Sequence, residues 1–114
     1  MTVKFTRKGA VLIVKVYGEL DHHTAEYFRQ KIDSEIVKST TRDIIFDFSK
    51  LDFMDSSGIG VLMGRYKNLI QLKGRAAIVN PNKQIRRILE MSGILKIMKA
   101  YNTNEEALEE FNIE

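Results

Sequence analysis

The sequence contains no cysteine, so neither a disulfide nor a thiolate metal site can contribute to its structure, and a reducing compartment suits it. No apolar run approaches membrane-span length. The opening residues Met1-Thr2-Val3-Lys4-Phe5 lack the apolar core of a signal peptide, which leads to the expectation of a cytoplasmic protein. Acidic residues are scarce in one region: residues 63–100 hold nine Lys and Arg against the single acid Glu90. Residues 1–62 balance to zero, and five glutamates from residue 101 onward bring the net charge to +3. No nucleic-acid motif interleaves aromatics with the basic side chains, so Lys73, Arg75, Lys83, Arg86 and Arg87 read as solvated helix faces. Histidine is confined to His22 and His23. Adjacent side chains on a helix diverge by about 100°, and no H-x-x-x-H pair is present, so no metal or other cofactor is expected.

What is present is the raw material of one domain over residues 1–114. Val3-Lys4-Phe5-Thr6-Arg7 alternates apolar and polar, Lys8-Gly9 is turn-like, and residues 11–17 form a more continuously apolar strand. Gly18 breaks that run. Asp21 is the expected N-cap of a helix whose buried face is Ala25, Phe28, Ile32 and Ile36. Residues 38–41 link it to a strand at 44–48, buried on both faces.

A second helix is predicted from near Ser56 to about Leu72. Its stripe is Ile59, Leu62, Met63, Tyr66, Leu69 and Ile70, and Lys73-Gly74 stops it. Residues 75–79 form a further strand. Asn80 then reads as a cap and Pro81 as the first position of a helix burying Ile85, Ile88 and Leu89 and ending at Gly93. A short last strand at 97–100 and a capping box from Thr103 to Glu106 precede a helix burying Ala107, Leu108 and Phe111. The order ββαβαβαβα predicts an α/β domain with a mostly parallel sheet and the opening strand antiparallel at one edge.

The chain is organised around Leu51-Asp52-Phe53-Met54-Asp55-Ser56-Ser57-Gly58-Ile59-Gly60, a strand-to-helix connection. A serine hydrolase is excluded: no base accompanies Ser56 or Ser57, and the G-x-S-x-G elbow is missing. Nor is the segment a Walker loop or a dinucleotide fingerprint, so Gly58 and Gly60 read as allowing close approach of another backbone. Two readings of the serines remain. Both can cap the helix. Alternatively Ser56 is a modification site, because a phosphate at a helix N-terminus meets free amides and a favourable dipole and leaves the fold intact.

The runs Phe53-Met54-Asp55-Ser56-Ser57-Gly58-Ile59-Gly60 and Gly18-Glu19-Leu20-Asp21-His22-His23-Thr24-Ala25 resemble those of the anti-sigma factor antagonists of the STAS domain family. Gly64-Arg65-Tyr66-Lys67 and Met91-Ser92-Gly93-Ile94-Leu95-Lys96-Ile97 extend the resemblance along nearly the whole chain. The double-histidine segment and the Asp-Ser-Ser-Gly loop are most similar to those of sporulation members, less so to the stress-response antagonists. The resemblance implies a non-enzymatic partner switch. The unphosphorylated antagonist binds an anti-sigma factor that is a serine kinase and frees its sigma factor. The kinase phosphorylates the serine matching Ser56, and a PP2C-type phosphatase reverses this. It implies partner contacts from Asp21, Asp55, Ser56, Ser57, Gly58 and Ile59, without nucleic acid or membrane. A STAS module binding a nucleotide or small anion at the same helix terminus is the alternative.

Overall fold

Period-two alternation over residues 2–8 builds an edge strand, β1 (Thr2–Lys8), that pairs antiparallel with β2 (Val11–Leu20). The computed structural model describes residues 1–112. After the hairpin come α1 (Ala25–Ile36), β3 (Asp43–Met54), α2 (Ser56–Gln71), β4 (Ala76–Val79), α3 (Lys83–Ser92), a 3-10 turn (Ile94–Lys96), β5 (Lys99–Tyr101) and α4 (Asn104–Asn112). The strands lie in the order β1-β2-β3-β4-β5, and every neighbouring pair after the hairpin is parallel. This is the expected α/β architecture with its antiparallel edge.

The pleat divides the apolar residues between two cores. Leu12, Val14 and Val16 of β2 and Ile44, Phe46 and Phe48 of β3 meet Phe28 and Ile32 of α1, Leu62 and Leu69 of α2, and Ile85 and Leu89 of α3. On the opposite face Val11, Ile13, Ile45, Ala77 and Val79 pack against Ala107 and Phe111 of α4. Burying a side chain such as Phe28 or Ile32 stabilises by about 1.5–3 kcal/mol. The helices α1, α2 and α3 therefore cover one face, and α4 covers the other.

Several boundaries differ from the sequence expectations. Gly18 does not end β2. It adopts φ +97°, between two register shifts in the β2–β3 ladder, and the strand continues to Leu20. β3 runs on through Leu51, Asp52, Phe53 and Met54, so the expected loop shrinks to Asp55 alone. Ile70 of the predicted stripe is 48% exposed, while Val61 and Arg65 are buried. At the end of α2 the left-handed residue is Lys73 (φ 60°), not Gly74. Gly74 is needed for another reason: a Cβ there would lie 1.9 Å from the Arg42 carbonyl oxygen. Asn80, also left-handed (φ 51°), is not the cap of α3; Asn82 is, accepting from the Ile85 amide at 2.9 Å. Gly93 ends α3 at φ 82° as expected. The 3-10 turn beyond it has no counterpart in the sequence reading and delays the last strand to Lys99.

Candidate functional site

The carboxyl ends of the parallel strands and the N-termini of the helices that follow them share one end of the sheet. There β3 passes into α2 with Asp55 as the sole linking residue. Asp55 is extended (φ −117°, ψ −172°), and its Oδ1 accepts the Ser57 amide at 2.8 Å. The residue is a helix N-cap in position and in bonding. The expectation that the two serines can do the capping is thereby corrected. A carboxylate accepts the amide, so neither hydroxyl is needed for it. Ser56 occupies the first helical position and is exposed; Ser57, the second, is half-buried.

The junction is held on three sides. The Asp55 amide donates to the Leu20 carbonyl at 3.2 Å, which ties it to the end of β2. From α3, Gln84 Nε2 donates to the Met54 carbonyl at 3.2 Å and Asn82 Nδ2 to the Asp52 carbonyl at 3.2 Å. Beneath it Gly58 is buried, and a Cβ there would meet Met54 Cγ at 2.8 Å and Leu20 Cδ2 at 3.0 Å. Side chains, not a backbone, make that close approach. Gly60 is exposed, and a methyl added to it would meet nothing within 4 Å, so the close-approach expectation fails for it altogether. Ile59 is partly buried against the main core, and Phe53 is 39% exposed.

Asp21 belongs to the same end but does not cap α1. The helix begins at Ala25 with Thr24 in the cap position, and no side-chain bond caps it. Instead Asp21 Oδ1 accepts the amides of His23 at 2.9 Å and Thr24 at 3.2 Å, folding the turn that precedes α1. Desolvation pushes the Asp21 carboxyl up, but the His23 and Thr24 amides and the charge of His23 together outweigh it and hold the group below its ordinary value. Thr24 Oγ1 donates to the Glu19 carbonyl at 2.9 Å and closes the turn.

His22 and His23 sit in this turn and not on the helix, so the expected divergence of their side chains does not apply. Their ring centroids are 3.9 Å apart, and His22 Nδ1 lies 3.9 Å from Asp55 Oδ2. Among the described residues no group of three or more His, Asp or Glu could hold a metal ion.

Asp21, Asp55, Ser56, Ser57, Gly58 and Ile59 are thus brought together from two stretches of chain. Asn82 and Gln84, which brace the same junction, are absent from the sequence-based site. The one signal available for them is a second asparagine two residues after Asn80. Of the basic residues, Arg75 is turned toward Asp43 and Phe111 at the other end of the strands, while Lys83 starts α3 between Asn82 and Gln84. No helix among the described residues is long and apolar enough to cross a membrane.

This geometry can be set beside proteins of similar sequence and shape. A family model described as the STAS domain matches residues 2–107. The anti-sigma F factor antagonist of Paenibacillus polymyxa is 39% identical over 113 residues, covering 99% of this chain and 97% of its own. The solved structure of the anti-sigma factor antagonist SpoIIAA in its unphosphorylated form is similar at a TM-score of 0.84, with 33% identity and 96% of both chains covered. The phosphorylated form of the Bacillus cell fate determinant SpoIIAA matches at 0.75 and 33% identity, covering 97% of this chain and all of the other. With a family model spanning nearly every element and relatives aligned end to end, the chain belongs to the STAS domain family, among its anti-sigma factor antagonists.

Proposed function

We propose that this chain is a non-enzymatic regulator switched by phosphorylation of Ser56. Unphosphorylated, it binds an anti-sigma factor that is itself a serine kinase and so releases a sigma factor. Phosphorylated, it lets the kinase go, and a PP2C-type phosphatase restores it. The carrying observation is the position of Ser56: an exposed hydroxyl at the first residue of a helix whose cap is already supplied by Asp55. Similarity to a protein solved in both unphosphorylated and phosphorylated forms supports the reading. We place the chain in the cytoplasm, where sigma factors act, and in a sporulation circuit on the strength of the double-histidine segment and the Asp-Ser-Ser-Gly loop.

The physics of the switch is local. A phosphate adds a charge near −2 to a helix N-terminus, where amides and dipole accept it, so the fold survives. The same dianion, in the middle of a fitted interface and beside Asp55 and Asp21, meets desolvation and like charge. A loss of about 3 kcal/mol lowers affinity roughly a hundredfold, enough to redistribute a limited partner. Asp21, Asp55, Ser57 and Ile59 supply the rest of the docking surface, and the buried Gly58 serves it from beneath by letting the first turn of α2 sit close on Met54 and Leu20.

Incubation with the cognate kinase and ATP is expected to add one phosphate by intact mass, and Ser56→Ala is expected to remain unmodified. Ser56→Asp should keep its circular dichroism spectrum and lose affinity for the kinase. A Ser56→Ala chain modified to the full extent would place the switch elsewhere. Tight calorimetric binding of ATP or GTP by the chain alone would favour a ligand-binding module instead.

A further inference from the structure

The paired histidines are the part of the site that the phosphorylation scheme leaves without a task. His22 Nδ1 stands 3.9 Å from Asp55 Oδ2, while the other oxygen of the same carboxylate accepts the Ser57 amide at 2.8 Å. One carboxylate is therefore shared between an imidazole on the β2–α1 turn and the Ser57 amide in the first turn of α2. The turn is braced by Asp21 and Thr24, so the imidazole is carried on an ordered support. The His23 ring packs against it at 3.9 Å. The titratable groups set against the His22 ring are Asp55 across the junction and His23 on its own turn. Asp21 Oδ1 is already taken up by the His23 and Thr24 amides. Asp55 Oδ2 is the carboxylate oxygen that pairs with the imidazole.

We propose that His22 is a positioning residue for the switch: through Asp55 it steadies the first turn of α2, which presents Ser56, and it does so when its imidazole is charged. The separation of 3.9 Å is too long for a hydrogen bond and short enough for an ion pair. The contact is therefore an ion pair only while the imidazole carries its second proton. With the imidazolium held against Oδ2, Oδ1 stays on the Ser57 amide. With a neutral ring, the carboxylate is freer to turn among the amides of the first turn, and Ser56 is presented less uniformly. The inference concerns the Asp55 cap itself and draws on the Ser56 proposal only for its biological meaning.

The His22 side chain is 70% exposed, so the pair is weak and spectroscopy reads it better than stability does. In nitrogen-resolved NMR spectra of the full chain, titrated from about pH 5 to pH 8, the Ser57 amide resonance should pass through an inflection. His22→Gln should abolish that inflection and His23→Gln should keep it. An inflection that persists in His22→Gln, or a Ser57 amide that stays flat in the native chain, overturns the proposal. In phosphate transfer by the cognate kinase, the native chain should exceed His22→Gln by roughly threefold near pH 6 and by less near pH 8, the size of an exposed ion pair. If neither protein takes up phosphate, the Ser56 reading fails, while the amide titration still decides the role of His22.

Discussion

At the scale of single residues, two glycines in the opening turns of α2 have opposite duties. A methyl added at Gly58 meets Met54 and Leu20 at 3.0 Å or less, whereas one added at Gly60 meets nothing within 4 Å. Gly58→Ala is therefore expected to destabilise by about 1–3 kcal/mol, as an overpacked core does. Gly60→Ala removes backbone freedom from an exposed helical position and should stabilise by about 0.5–1 kcal/mol. Urea denaturation of both variants reads the difference in sign. Asp21 gives a pH-dependent counterpart. Its carboxyl is held below the ordinary value of 3.8, so the native state favours the ionised form. That contribution is present above pH 3.8 and is lost as pH falls through the lower folded value. Asp21→Asn keeps the shape and removes the charge. It should be less stable than the native chain near neutrality, and the gap should close in acid. A gap that widens in acid would reverse the assigned sign.

Elements are where the cap matters, because α2 carries both the serine and a large share of the core. Asp55→Ala leaves an amide of its first turn without a partner and is expected to cost about 1 kcal/mol, measured by the urea midpoint at unchanged slope. The sequence announces this element well. The Asp-Ser-Ser-Gly run followed by helically spaced apolar residues locates both the start of α2 and the exposed serine. Of β3 it announces the buried run at 44–48 and misses the continuation to Met54. Residues 51–54 are hydrogen-bonded against Gly18, Glu19 and Leu20, far away in the chain, and no local pattern carries that information. The cap of α3 escapes a local reading for a similar reason. The Asn80 amide is claimed by the Tyr101 carbonyl at 2.8 Å, a contact made only once β5 has docked beside β4, and Asn82 is left to cap. The role of Gln84 at the Met54 carbonyl is equally invisible, since it joins two segments that meet only in the folded protein. Local chemistry is legible; partners distant in sequence are not.

For the molecule as a whole, the parallel sheet gathers strand ends and helix starts at one pole and leaves the bulk of the protein as support. The expected tolerance of Ser56→Asp is a statement at this scale, since two cores on either face of the sheet lie away from the altered residue. The shortness of the β3–α2 connection carries a consequence for how a message leaves the molecule. With a single residue between a buried central strand and a three-helix layer, there is no slack for a hinge. A group attached at the tip cannot be announced by rearrangement elsewhere; a partner must feel it directly, as a change of electric field and bulk at the spot it touches.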